Sequence, residues 1–129
     1  MKYLSHEEIL VFHSKIIDAT GGLHGIRDLH LFASIIEKPK MAFGGSDLYF
    51  DVFTKPAVYL EAFAKYHVFI DGNKRTAFVV ASRFLFLNGY NIKATNNEVI
   101  NFMVNVVEKK LEVADIAIWL KKNSKKISK

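Results

Sequence analysis

The stretch HVFIDGNKRTA, residues 67–77, sets one histidine, one acid, a Gly-Asn pair and two cations beside a long apolar run. Phe69 follows His67 by two residues and reads as a peg that anchors the loop in the core while its polar neighbours face outward. Gly72 permits a tight turn with no Cβ in the way of a ligand. Asn73 is a good N-cap for a helix over 74–88, which Gly89 terminates. A helix starting there directs unpaired N–H groups and the positive end of its dipole at open space, and Lys74 and Arg75 add charge. Two cations in a first helical turn oppose the dipole unless an anion is nearby, so the expected ligand is a phosphate chain.

Outward from this loop, turn residues divide the chain into helices. Ser5 with Glu8 is a capping-box pattern that opens a first helix carrying Ile9, Leu10, Phe12, His13, Ile16 and Ile17, stopped by Gly21-Gly22. Asp28 caps a second helix with Leu31, Phe32, Ile35 and Ile36, ended by Pro39. Residues 40–52 hold Gly44-Gly45 between short aromatic segments, which suits a small hairpin flap. Thr54 with Pro56 starts a third helix over 54–66, and the fourth is the helix of the motif. Thr95 with Glu98 caps a fifth, through about 109, and a sixth covers 113–122 with Ile116, Trp119 and Leu120 on or near its buried face. The expected fold class is all-α: a single compact bundle of about six helices, residues 1–129, with a small β-hairpin flap and no linker or repeat.

The motif carries chemistry as well as structure. Asp71 supplies an oxygen ligand beside the anion site, which suits Mg²⁺, an ion that uses one or two carboxylates together with phosphate oxygens and water. His67 stands four residues before it, and an imidazole titrating near neutral pH takes a proton from an attacking hydroxyl. Taken singly, each residue is ordinary: a histidine before a loop is usually a capping or surface residue, and Asp-Gly-Asn is usually a turn. Together, base, metal ligand and anion hole are the parts of phosphoryl transfer.

Composition narrows the alternatives. A chain of 129 residues has room for one core and one site. With no cysteine it has no disulfide, no thiolate nucleophile and no Cys-ligated zinc, and the cytoplasm is the expected compartment. Ser5, His6, Glu7 and Glu8 interrupt any signal-peptide pattern, and the apolar run 77–87 is far short of a membrane span. The net charge of +5 belongs to the end of the chain. Residues 121–129, KKNSKKISK, hold five of the eighteen cations and no acid, so the remainder carries thirteen cations against thirteen acids. That tail is expected to be a solvated, frayed terminus, with no specific nucleic-acid contact. His6, His13, His24 and His30 have no metal-ligand spacing and are expected to be surface or half-buried residues, and GNKRT lacks the glycine spacing of a Walker A loop.

The string from His67 to Ala77 resembles the signature of the Fic/Doc superfamily in its Doc, or death on curing, form. The similarity extends to Gly21-Gly22, Gly25, Arg27-Asp28, Leu31 and Pro39 upstream, and to Asn88-Gly89-Tyr90 and Asp115-Ile116-Ala117 with Trp119-Leu120 downstream. The resemblance implies His67 as general base, Asp71 as magnesium ligand, and Gly72, Asn73, Lys74 and Arg75 as the phosphate-binding loop and helix start, with ATP as substrate. Adenylylating Fic proteins carry a second arginine three residues after the first, where this chain has Phe78, and usually glycine where it has Lys74. The resemblance therefore implies a bacterial or archaeal toxin with protein kinase activity, moving the γ-phosphoryl of ATP to a hydroxyl of elongation factor Tu and arresting translation. An adenylyltransferase is the alternative, and a non-catalytic helical binding module the third reading.

In Fic-type proteins the flap pairs with an extended target segment, which makes Phe43, Gly44 and Gly45 candidate docking residues; an aromatic core loop is the plain alternative. The inhibitory (S/T)-x-x-x-E-(G/N) string of autoinhibited Fic proteins does not occur in the sequence. The expected inhibitor is a cognate antitoxin acting in trans, part of which folds on the toxin.

Overall fold

The computed structural model describes the chain apart from Gly44, Leu48 and Lys129, and describes Phe43 and Asp47 by their backbone alone. Six helices form where the caps and turns place them: α1 (His6–Thr20), α2 (Leu29–Glu37), α3 (Thr54–Lys65), α4 (Asn73–Leu87), α5 (Asn96–Glu108) and α6 (Val113–Lys122). Both expected capping boxes are made, Ser5 with Glu8 and Thr95 with Glu98, and Asp28 receives the Leu31 amide. Each such cap contributes about 1 kcal/mol and fixes where its helix begins.

α3 is the axis of the bundle. Its residues from Lys55 through Ala64 are all buried, and it packs on α4, α6, α5 and α2. A helix apolar on every side has no solvent face and must be enclosed by its neighbours. Tyr59, Leu60 and Phe63 of α3 meet Phe84 and Leu85 of α4, Phe32 and Ile36 of α2, and Ile116 and Leu120 of α6 in one core. At about 1.5–3 kcal/mol for each large apolar side chain buried, this cluster dominates the folding free energy. α4 leaves that core with its N-terminus at the surface, so the motif loop projects from a rigid base.

Two charged residues enter the core with partners. Lys55, 1 % exposed, donates from Nζ to the Pro39 carbonyl at 2.7 Å and lies over the Tyr3 ring. Lys65 bonds Glu61 one turn back and donates to the Leu111 carbonyl at 2.6 Å, tying α3 to the α5–α6 connection.

The expected hairpin is present, with β1 (Ala42–Phe43) antiparallel to β2 (Ser46–Asp47) and Ala42 opposite Asp47. Both stems are fixed. Lys55 holds the Pro39 carbonyl on one side, and on the other the Asp51 carboxylate accepts the Phe53 and Thr54 amides that open α3.

The C-terminal segment departs from expectation. Instead of fraying, residues 121 and 122 finish α6, and β4 (Ser124–Lys126) pairs antiparallel with β3 (Tyr90–Ile92), Ile92 opposite Ser124. Charge composition missed this because the lysines occupy exposed positions on a strand whose backbone pairs with the turn after α4. The Lys93 amide donates to the Asn123 carbonyl and the Ile127 amide to that of Gly89. Trp119 is half-buried rather than fully so, its ring stacked on Phe102 at 3.9 Å.

Candidate active site

Between the end of α3 and the start of α4 the chain dips into the core and returns. His67 opens this crossing at φ 51°, a left-handed conformation that costs a residue with a Cβ about 1–2 kcal/mol. Val68 and Phe69 are fully buried, and Ile70 turns outward again. The Phe69 ring stacks on His13 at 3.8 Å between centroids and on Phe63 at 5.9 Å, and meets Phe32 edge-on. The peg read from the sequence is thus held from three helices.

Asn73 closes the loop upon itself. The Phe69 amide donates to its Oδ1 at 2.9 Å, and its Nδ2 donates to the Phe69 carbonyl at 3.0 Å. This corrects the expected cap. Gly72, at φ 77°, occupies the N-cap position and Asn73 is the first residue of α4. Glycine takes the left-handed turn at little cost, and a Cβ on it would lie 2.9 Å from Cδ1 of Ile17. The Asn73 side chain is committed to Phe69, so the group it offers a ligand is its backbone amide.

Asp71 is oriented from two sides. Its carbonyl accepts a hydrogen bond from Nε2 of His13 at 2.8 Å, and its Oδ2 accepts the Leu23 amide at 2.7 Å. Gly22 passes so close that an added Cβ would sit 3.1 Å from that of Asp71. Among the described residues no donor holds Oδ1, which leaves it for a cation. The donor set fits Mg²⁺: one oriented carboxylate stands beside an anion site, and among the described residues no three His, Cys, Asp or Glu cluster to form a protein-only cage. An ion there would draw its other oxygens from phosphate and water.

Asp71, Gly72, Asn73, Lys74 and Arg75 line one cavity of about 1020 Å³. Lys74 and Arg75 are exposed, and among the described residues neither has a carboxylate partner. The amides of the first α4 turn and these two cations therefore face the same space, as an anion site requires. The same cavity is also lined by apolar side chains, among them Ile16 of α1, Phe78 of α4, and Val99 and Met103 of α5. Phe78 sits one turn beyond Arg75, half-buried and edge-on to Trp119.

His67 is not part of the cavity wall. It stands exposed at the other end of the loop, its carbonyl accepting from Nε of Arg27 at 2.6 Å. Of the flap residues, Gly45 adopts φ 83° in the hairpin turn and Phe43 pairs with Ser46, while Gly44 lies outside the described residues. Of the remaining histidines, His24 bonds exposed Asp18 and His6 lies edge-on to Phe32, and neither lines the cavity.

Two supporting residues escaped the sequence reading. His13 is 4 % exposed instead of at the surface or half-buried. Its signal was its spacing, four residues from both Ile9 and Ile17 on the buried face of α1. Arg27 stands among the positions of the family resemblance, but its contact had no local signal, because its partners are backbone carbonyls about forty residues away.

This loop, its Asp71 and the exposed start of α4 are accompanied by a sequence relationship that runs through the same residues. The chain belongs to the Fic/DOC family, whose model matches residues 3–85. Within it the chain is 36% identical over 93 residues to Toxin Doc of Mycolicibacterium smegmatis, a match covering 72% of this chain and 69% of that one. It is 31% identical over 122 residues to Protein kinase doc of Escherichia phage P1, covering 95% of each chain. The likeness is to the Doc branch of the family.

Proposed function

We propose that this chain is the toxin of a toxin–antitoxin pair and acts as a protein kinase. It transfers the γ-phosphoryl of ATP to a Thr or Ser hydroxyl of a translation factor, elongation factor Tu. The observation that carries this reading is the composition of the cavity. A metal-ready carboxylate and the helix start of Gly72–Arg75 share one space, and the next turn of α4 contributes Phe78 to it instead of a second guanidinium. A site with one phosphate arginine is poorly matched to holding a nucleotide for AMP transfer, and it suits binding in the reverse direction with the γ-phosphoryl presented. The P1 relative, matched along 95% of both chains, is by its name a protein kinase.

The chain's own groups divide the work. His67 takes the proton of the target hydroxyl as its oxygen bonds to the γ-phosphorus, and the bond to the β–γ bridging oxygen breaks to release ADP. The α4 amides with Lys74 and Arg75 hold the phosphates and stabilise charge that builds on them. Asp71 would hold Mg²⁺, which supplies further neutralisation of the phosphate oxygens. No covalent intermediate forms: positioning, charge stabilisation and proton transfer to His67 make up the catalysis. An extended target segment would dock at the flap, for which Phe43, Gly44 and Gly45 are the candidate residues. Control falls to a cognate antitoxin bound in trans.

Parallel reactions with γ-labelled and α-labelled ATP, Mg²⁺ and elongation factor Tu test the reading. Label reaching protein from the γ position alone, and lost in His67→Ala, is the expected result. Label from the α position makes the chain an adenylyltransferase despite Phe78, and label surviving in His67→Ala removes the assigned base.

A further inference from the structure

The base of the proposed reaction is held in an uncommon backbone conformation, and one exposed side chain bonds its carbonyl. His67 at φ 51° follows Tyr66, the C-cap of α3, so two carbonyls at the negative end of that helix are turned outward. Arg27 faces both. Its Nε donates to the His67 carbonyl at 2.6 Å and its Nη2, less closely, to that of Tyr66 at 3.4 Å. The segment carrying Arg27 is strapped along the loop: the Arg27 and Asp28 amides donate to the Val68 carbonyl, Ile26 bridges Phe69, and the Ile70 amide donates to the Gly25 carbonyl. Asp28 then caps α2, which fixes the strap at its far end.

We propose that Arg27 is a positioning residue for the reaction: its guanidinium holds His67 in the left-handed conformation and so sets where the imidazole stands to receive the hydroxyl proton. Only a planar fork with two donors reaches two successive carbonyls at once, which a lysine ammonium on a flexible stem does not reproduce. The side chain touches neither the cavity nor its cations, so its loss acts on the base end of the site and spares the phosphate end. Arg27 is exposed and its guanidinium bonds two loop carbonyls, so removing it loosens the strap while the fold persists. This inference rests on His67 being the base.

The test compares wild type, Arg27→Ala, Arg27→Lys and His67→Ala in the labelled-ATP assay, with Tm measured for each. Arg27→Ala should lower kcat about 10- to 100-fold while KM for ATP stays within about twofold, as misplacement of a catalytic group does. Added methylguanidinium should restore part of the lost kcat, and Arg27→Lys should fall between. Independently of any protein substrate, amide exchange at Ile70 should quicken in Arg27→Ala while amides in the buried middle of α4 keep their protection. A kcat equal to wild type, unchanged Ile70 exchange, or a parallel loss of kcat and Tm that methylguanidinium does not relieve would overturn the proposal. Transfer that survives in His67→Ala sinks the functional reading itself, and the inference with it.

Discussion

Replacing Asn73 with alanine tests the two-point clamp that shapes the site loop. The substitution removes both hydrogen bonds between this side chain and the Phe69 backbone, at 2.9 and 3.0 Å. Phe69 is fully buried, so neither its amide nor its carbonyl gains ready access to water in exchange. Each buried group left without a partner costs about 1–3 kcal/mol, which puts the loss for the two at roughly 2–6 kcal/mol. For a domain of this size that is a fall in Tm of roughly 6–24 °C. Asn73→Asp separates the two bonds: it keeps an acceptor for the Phe69 amide but sets a carboxylate against the Phe69 carbonyl. Its charge at the start of α4 offsets part of the cost through the helix dipole, so its Tm should lie between those of alanine and wild type. Urea unfolding followed by circular dichroism gives the values, read at an unchanged m. If Asn73→Ala loses less than about 0.5 kcal/mol, the clamp is not what holds the loop and its place in the account is wrong.

Three further outcomes follow from the same structure. Lys74→Ala and Arg75→Ala should each raise KM for ATP about 10- to 100-fold, the worth of a charge-assisted hydrogen bond to phosphate, and should raise Tm slightly, because each removes a cation from the positive end of α4. Burial pushes the Asp51 carboxyl up, but the Thr54 hydroxyl and the Thr54 and Phe53 amides outweigh it and hold the group below its ordinary value of 3.8. With the folded value depressed, its contribution is complete above 3.8 and disappears as pH falls through the lower folded value, so the urea-midpoint gap between wild type and Asp51→Asn should shrink on acidification. Truncation after Asn123 should quicken amide exchange along Tyr90–Ile92, whose partner strand it deletes, while leaving phosphate affinity unchanged.

The helices were legible because their ends are written in local chemistry. Ser5 with Glu8, Asp28, Thr95 with Glu98 and the glycines at 21, 22 and 89 need no tertiary context to mark a boundary. The exposed helix start at Gly72 through Arg75 was legible for the same reason, since these residues are contiguous and the turn they make is local. What failed was whatever depended on distant backbone. Asn73 looks like a cap in sequence, yet its side chain turns back to Phe69, and the turn falls to Gly72. The lysine-rich end looks solvated, yet β4 pairs with a strand more than thirty residues earlier. Arg27 and His13 act on distant carbonyls, so although His13 sits at buried-face spacing in α1, neither partner could be read from the sequence.

The account turns on one reaction, and intact-protein mass spectrometry of elongation factor Tu after incubation with this protein, Mg²⁺ and ATP measures it most directly. The predicted result is the added mass of a single phosphoryl group, absent when His67→Ala replaces the wild type. An added AMP moiety, or no modification at all, would contradict it.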